Sequence, residues 1–320
     1  MNISVKSGVE KQMFWARFVL MALMAVTFYV IGAFSVLAYA PMTVALLLFG
    51  QVMGSMLGVI CFAVVVAFSF LTKVKLYYSA GFILVLLLSQ VTAFLIRRQM
   101  TPRLLFLNLN FGLAFFAVII GGIALVTFQG GYGELIDTLI NGYMEVFQFQ
   151  SAEQATQFRE QLFEVTLLGV KQKYLLPTFA VLFGVFQLWL GIVFILRFAQ
   201  QWRQHVGYRS TVKDLIQYKN PEWLIYPVLA LISLLLLCYY QKWEMASIGV
   251  ISLLFFVSFF YFLQGFGVYA DFLRYLKLRG IMRMLFVFVA VVFMSRLLAI
   301  VGFFDLWINF RKFFKKQIES

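Results

Sequence analysis

The stretch PMTVALLLFGQVMGSMLGVICFAVVVAFSF, residues 41 to 70, decides how the first half of the chain is folded. As one straight α-helix with a rise of 1.5 Å per residue, it would be roughly 45 Å long, whereas the hydrocarbon core of a bilayer is about 30 Å thick. Gly50, Gly54 and Gly58 stand four positions apart in its middle. This spacing fits either a face for close helix packing or a turn between two shorter helices.

The rest of the chain is similarly apolar. Of its 320 residues, 63% are hydrophobic and 12% are charged, whereas about a quarter of the residues in soluble domains are charged. Several apolar runs reach the ~20 residues that a helix needs to cross a bilayer, and the alternating pattern of barrel strands is absent from the sequence. We therefore expect an all-α fold, a polytopic transmembrane helical bundle of about eight to nine spans, because the backbone must satisfy its own hydrogen bonds in lipid.

The charge pattern predicts the orientation. A net charge of +13 would suggest a nucleic-acid partner in a soluble protein, but here the basic residues concentrate in short loops, which face the cytoplasm in membrane proteins. We therefore expect no nucleic acid and an integral membrane protein with a cytoplasmic N-terminus. The basic loops are 97–103, 197–219 and 274–283, and the acidic connection 128–172 is expected on the other side.

The number of crossings must agree with this orientation. Only three apolar runs precede the basic loop at 97–103, and an odd number of crossings does not connect two cytoplasmic segments. The long glycine-containing stretch must therefore cross the membrane twice. This favours the turn over the packing face, with two short helices at 41–52 and 54–71 and with Gln51 and Ser55 satisfying the freed backbone groups.

A family resemblance supports the same division. The Pro-x-Thr start, short apolar helix, glycine-spaced turn and second apolar helix look like the second and third helices of the substrate-binding (S) components of energy-coupling-factor transporters. Later segments resemble the YybS-like family of bacterial multi-pass membrane proteins of unknown function, which is distantly similar to those S components. These segments are KYLLPTFAVLFGVFQLWLGIVFILRF (173–198), KNPEWLIYPVLALI (219–232), LLFFVSFFYFLQGFGVYADFLR (253–274) and GFFDLWINFRK (302–312).

The resemblance implies a location in a bacterial cytoplasmic (inner) membrane, and it implies three parts of the chain. Residues 1–200 would form an S-component-like module of six transmembrane helices, and 223–320 a C-terminal transmembrane bundle with a basic interfacial tail. Between them, 201–222 is a basic cytoplasmic loop. Apolar stripes at helical spacing within 128–172 predict amphipathic helices on the outer face of the first module, either as a lid over a cavity or as a simple collar.

Five residues within the predicted spans are candidates for ligand binding. An amide buried in lipid without a partner costs several kcal/mol, so it must face protein, water or a ligand. Hydrogen bonds between helices are the alternative explanation. The resemblance would place a substrate pocket among the last three helices of the first module, where these residues lie. The candidates are Gln90, Asn108, Asn110, Gln187 and Trp189.

Charged residues near the C-terminus raise a separate question. We expect Asp271 to pair with Arg274, three residues on. We expect 282–304 to be a broken or re-entrant element, with Arg296 near its turn and bonded to carbonyls or to a polar group of the bundle. Asp305 would be the N-cap of a surface helix, not a buried charge. The tail after it, with Arg311, Lys312, Lys315 and Lys316, would lie on the cytoplasmic side and bind anionic lipid.

No pattern of residues indicates catalysis. The single histidine, His205, stands in a basic loop and is interpreted as a solvated residue, and Cys61 and Cys238 lie in separate apolar runs. The sequence has no acid cluster, nucleophile motif, phosphate-binding motif or metal-ligand spacing. We therefore expect no enzyme activity, no metal and no cofactor.

Two functions remain open at this stage. The first is an integral membrane protein of transporter type, without its own ATPase, that binds a small molecule or a lipid-linked group within the first six helices. The broken-helix pattern supports it, because transporter sites are often built from interrupted helices. The alternative is a non-transporting membrane scaffold or assembly factor that binds protein partners and anionic lipid.

Overall fold

The computed structural model describes residues 8–32, 34–72, 77–113, 175–278 and 280–319, and these residues are helical with short connections. The predicted all-α fold is confirmed, because the described residues contain no β-strand. The helices are α1 (Gly8–Val30), α2 (Tyr39–Leu71), α3 (Tyr77–Arg97), α4 (102–113), α5 (Leu176–Arg197), α6 (Ala199–Val206), α7 (Val212–Ile216), α8 (Ile225–Tyr240), α9 (Glu244–Tyr275), α10 (Gly280–Phe293), α11 (Ser295–Ile308) and α12 (Phe310–Glu319), with 3₁₀ turns at Val36–Ala38 and Glu222–Leu224.

Five of the described helical segments are long and apolar enough to cross a membrane, or six if the bent pair α10 and α11 is counted as one span. The five are Met13–Val30, Val36–Leu71, Pro177–Arg197, Glu222–Tyr240 and Ala246–Tyr275. The amphipathic helices predicted within 128–172 lie outside the described residues. The predicted total of eight to nine spans includes that region and stays a prediction.

The chain forms two compact units. The first contains residues up to Leu113 together with Gly184–Leu215, and the second contains Ile216–Ser320 and the part of α5 up to Phe183. The observed boundary at residue 215 falls within the predicted loop 201–222. Within the second unit, the start of α5 packs on α9 through Thr178, whose hydroxyl lies 2.7 Å from the Ser252 hydroxyl.

The decisive feature of the first unit is a sharp reversal inside α2. Gly50 has φ 83° and ψ 173°, far from helical values, and divides α2 into arms 39–49 and 51–71. In a straight helix, Leu46 and Gly54 would be about 12 Å apart. Instead, a methyl group on Gly54 would lie only 2.7 Å from the Leu46 Cα, which means that the second arm folds back along the first.

Both structures that the glycine spacing allowed are therefore present. Gly50 forms the turn, because its left-handed φ is accessible to glycine at little cost. Gly54 and Gly58 form the packing face, where a methyl group on Gly58 would lie 3.3 Å from Met42 Cε of the first arm and 2.9 Å from Leu86 Cδ2 of α3. The predicted break is confirmed, but it lies at Gly50 and not between residues 52 and 54.

The start of α2 is fixed by α5. The Leu37 backbone N–H donates to Gln187 Oε1 at 3.1 Å, and the Tyr39 hydroxyl donates to the Leu188 carbonyl at 2.7 Å. Both contacts hold the beginning of the hairpin against the middle of α5. The Tyr39 ring also occupies the space where a side chain on Gly191 would stand.

In the second unit, α9 and α11 cross at two glycines. A methyl group on Gly265 would overlap the Leu298 carbonyl, and one on Gly302 would overlap the Tyr261 carbonyl. Without side chains at these positions the two backbones approach directly. Before this crossing, α10 and α11 meet at a bend of 90°, and Met294, the residue before α11, has a non-helical backbone conformation. The predicted break within 282–304 is therefore confirmed.

The hairpin leads to a first prediction. Gly54→Ala should lower the free energy of unfolding by about 1–3 kcal/mol, because the new methyl group would overlap the Leu46 backbone. Gly112→Ala is the matched control, since a methyl group there meets no atom of the described residues within 4 Å. Thermal unfolding of both variants in detergent measures the difference. Equal melting temperatures would contradict the close approach of the two arms.

Candidate functional site

The reversal in α2 opens into a cavity of about 850 Å³. Its floor is formed by the turn itself, from the end of the first arm through the first residues of the second. The other walls come from α1, the end of α3 and the end of α6. The lining residues are Met13, Phe14, Arg17, Leu47, Leu48, Phe49, Gly50, Gln51, Val52, Met53, Arg97, His205 and Val206.

Arg97, the last residue of α3, holds the broken end of the first arm. Its Nη2 donates to the Leu46 carbonyl at 2.9 Å, and its Nη1 donates to Gln51 Oε1 at 2.9 Å. The last four carbonyls of a helix lack partners within that helix, and Leu46 is one of the four in the first arm. Arg97 therefore supplies a charged donor to a carbonyl exposed by the break at Gly50.

Two amides continue this network between α2 and α3. Gln51 Nε2 lies 2.6 Å from Gln90 Oε1, and Gln90 Nε2 donates to the Ser55 hydroxyl at 3.0 Å. The prediction that Gln51 and Ser55 satisfy freed backbone groups was therefore wrong in detail. Arg97 contacts the backbone, whereas Gln51 and Ser55 bind the side chains that surround it.

The wall formed by His205 and Val206 is fixed at the end of α6. Gly207 stops the helix in a left-handed conformation with φ 69°. The Val206 carbonyl accepts a hydrogen bond from Gln99 Nε2 at 2.9 Å. Next to it, the Tyr208 hydroxyl donates to the Met100 carbonyl at 2.7 Å, and burial raises the pKa of this tyrosine.

The cavity combines an apolar wall with positive charge. Arg17, Arg97 and His205 are exposed side chains at its edge, and the lining residues within the described part of the chain include no aspartate or glutamate. The first turn of the second arm also lines it, and the free N–H groups of a helix N-terminus favour an anion. Such a site fits an anionic group attached to an apolar body.

The five predicted ligand residues do not come together in one site. Gln90 joins the network beside the cavity, and Gln187 caps the turn before α2. Asn108 is exposed and donates to the Leu104 carbonyl at 2.8 Å, and the buried Asn110 donates to the Phe106 carbonyl at 2.7 Å. Trp189 is buried and stacks on Phe186 with ring centroids 6.2 Å apart. Gln90 and Gln187 bond to other segments of the chain, as the alternative explanation of hydrogen bonds between helices expected, whereas Asn108 and Asn110 bond to carbonyls of their own helix.

The second unit contains a buried polar centre around Gln264. Its Nε2 donates to Asp305 Oδ2 at 3.0 Å, and its Oε1 accepts from the Asn220 backbone N–H at 2.9 Å. Arg311 Nη2 donates to the Gln264 and Tyr218 carbonyls, each at 2.8 Å. Arg311 Nε also lies 3.7 Å from Asp305 Oδ2. This centre joins α9, α11, α12 and the segment before α8.

This centre overturns one prediction and leaves another without support. Asp305 was expected to cap a surface helix, but it lies inside α11 and is 2% exposed. Asn309, in a left-handed conformation, ends α11 instead. Arg296 follows the bend as expected, but its side chain is exposed and contacts no polar group among the described residues. By contrast, the expected pair is present, with Arg274 Nη1 3.1 Å from Asp271 Oδ1.

Sequence reasoning missed the basic residues of the cavity. Arg17 and Arg97 were interpreted only as signals of orientation, and His205 as a solvated loop residue. Their distance in the chain from residue 50 gave no reason to combine them. One signal was available in the sequence. The predicted topology places Arg17, Arg97 and His205 on the same side of the membrane as the turn. Within the described ranges, His, Cys, Asp and Glu form no group of three or more that could hold a metal ion.

The polar centre gives a second prediction. Arg311→Gln should lower the free energy of unfolding by about 3–5 kcal/mol, because it leaves Asp305 buried without its ion-pair partner. Arg296→Gln is the matched control. The Arg296 side chain is exposed and contacts no polar group among the described residues, so we expect a change of at most about 0.5 kcal/mol. Unfolding in detergent monitored by circular dichroism compares them, and equal losses would contradict the buried role of Arg311.

Comparison with known families places the chain among membrane proteins. The family described as predicted membrane protein (DUF2232) matches residues 16–306. No curated protein and no solved structure gave a significant match. The match covers the α2 hairpin, most of the cavity lining, and Gln264 and Asp305 of the buried centre, while Met13, Phe14 and Arg311 lie outside it. The chain therefore belongs to this family of predicted membrane proteins.

Proposed function

We propose that the chain is an integral membrane protein of transporter type that binds the anionic group of a small molecule or lipid in the cavity at Gly50. The observation that carries this proposal is a broken helix whose exposed end, three basic side chains and apolar wall surround one cavity of about 850 Å³. Transporter sites use helix breaks in this way, because free N–H and carbonyl groups at the break bind polar ligands.

The chemistry of the lining defines the ligand class. Arg97 is already engaged with Leu46 and Gln51, so its remaining donors and the nearby charge of Arg17 are available for an anion. The apolar residues around them suit an acyl or isoprenoid chain. A phosphate or carboxylate group carried on an apolar body satisfies both parts of the lining.

Three further features belong to this proposal. We also propose that the chain resembles S components, which would imply a binding module without its own ATPase, so that energy would come from a partner protein or a gradient. We place the chain in the bacterial inner membrane with both termini and the cavity on the cytoplasmic side. The tail helix α12 would bind anionic lipid, and the chain would act without enzyme activity, metal or cofactor.

A binding experiment tests the proposed site. Purified protein in a neutral detergent is titrated with a short-chain phosphatidylglycerol, with the zwitterionic phosphatidylcholine of the same chain length, and with inorganic phosphate. We expect phosphatidylglycerol to raise the melting temperature most, because a ligand that binds only the folded state stabilises it. Arg17→Gln should weaken this binding about tenfold, which corresponds to 1.4 kcal/mol.

The control for this experiment is Arg209→Gln. Arg209 is an exposed arginine of the same unit that does not line the cavity, so its removal should leave the affinity unchanged. If both variants bind equally well, the cavity is not the site. If binding follows Arg17 but reconstituted vesicles show no uptake of the ligand, the protein presents or holds it, and the scaffold function replaces transport.

Orientation has a separate test. Cysteines introduced at Ser7 and Lys316 should both resist a membrane-impermeant thiol reagent added to intact cells and react after the membrane is opened. The native Cys61 and Cys238 are buried and should contribute little background. Labelling of Lys316→Cys in intact cells would place the tail outside and contradict the proposed orientation.

A further inference from the structure

The second unit has a cleft of its own, away from the cavity at Gly50. It has a volume of about 570 Å³ and lies between the start of α8 and the end of α11. The first wall consists of Glu222, Trp223, Ile225 and Tyr226, and the second consists of Leu306 and Trp307. Both walls belong to the same compact unit.

The cleft brings three aromatic rings to one carboxylate. Trp223 is 62% exposed, Tyr226 74% and Trp307 58%, so all three have ring surface that a ligand can cover. Glu222 is also exposed and forms no ion pair within the described part of the chain. Aromatic faces attract cations through their quadrupoles, and groups of such rings recognise quaternary ammonium ions. The unpaired carboxylate adds charge complementary to the same ligand.

The buried centre around Gln264 sets the distance between the two walls. Gln264 accepts from the backbone N–H of Asn220, two residues before Glu222, at 2.9 Å. It donates to Asp305, directly before Leu306, at 3.0 Å. One buried amide therefore bridges the chain segments that carry the two walls. Because Gln264 is fully buried, the bridge is shielded from water and fixes the cleft before a ligand arrives.

We propose that this cleft binds an alkylammonium group, with Trp223, Tyr226 and Trp307 contacting the cation and Glu222 balancing its charge. The group could belong to a lipid headgroup or to a free amine, since both present the same cation. The proposal is independent of the anion site at Gly50. A plain belt of interfacial tryptophans would attract apolar groups as well as cations, and this difference provides the test.

The experiment compares two ligands of equal shape. Full-length protein in detergent is titrated with choline and with 3,3-dimethyl-1-butanol, in which carbon replaces the charged nitrogen, and binding is measured by isothermal calorimetry. We expect choline to bind at least about tenfold more tightly, since cation–π attraction to several rings requires the charge. Equal affinities, or no detectable choline binding, would overturn the proposal.

Three variants locate the binding. Trp307→Leu and Glu222→Gln should each weaken choline binding about fivefold to tenfold while leaving the affinity for dimethylbutanol nearly unchanged. Trp243→Leu is the control, because Trp243 is an exposed tryptophan of the same unit outside the cleft. Melting temperatures verify that each variant is folded. If Trp243→Leu weakens choline binding as much as Trp307→Leu, the cleft is not the site.

The source of the ammonium group is decided by competition. The protein is placed in nanodiscs of phosphatidylglycerol, with or without phosphatidylcholine, and choline binding is measured again. If phosphatidylcholine lowers the apparent affinity of the unmodified protein for choline but does not lower that of Glu222→Gln, the cleft binds a lipid headgroup. Unchanged affinity in both would assign it to a free amine.

Discussion

The hydrogen bond from Arg97 to the Leu46 carbonyl is the contact on which the first unit depends. A helix reversal within an apolar bundle leaves backbone carbonyls without partners, and each would cost several kcal/mol in a medium without water. Arg97 removes that cost at one carbonyl of the broken end, while Gln51 fixes the guanidinium from the other side. The same arginine therefore stabilises the turn at Gly50 and brings positive charge to the cavity that the turn creates.

The second unit solves a similar problem with a similar set of groups. Arg311 donates to two backbone carbonyls, as Arg97 donates to one, and Gln264 joins α9 to two other segments, as Gln90 joins α3 to the second arm of α2. In lipid, the hydrophobic effect does not distinguish one apolar helix face from another. Small residues that permit close approach and amides that bond across helices therefore determine which faces meet.

The parts of this fold that sequence could predict are those with a local cause. The length of residues 41–70 and the count of basic loops required a reversal, and glycine was the residue able to make it. The bend before Arg296 followed from the same reasoning about charge and orientation. The prediction for Asp305 was wrong because its position before an amphipathic tail resembles that of an N-cap. Its actual partner, Gln264, lies 41 residues away in the chain. A single sequence gives no signal for such a pairing.

The two candidate sites differ in whether a residue that lines the site also stabilises the fold. At Gly50 the arginine that lines the cavity is also the one that caps the broken helix, so any ligand must share Arg97 with the protein. Binding there would be coupled to the stability of the hairpin, since a ligand that draws Arg97 away would weaken its contact with Leu46. The aromatic cleft has no such conflict. Gln264 fixes the two walls of the cleft through its hydrogen bonds to Asn220 and Asp305. None of the residues proposed to contact the cation takes part in these bonds. The first site is therefore suited to a ligand that changes the structure, and the second to one that is held without changing it.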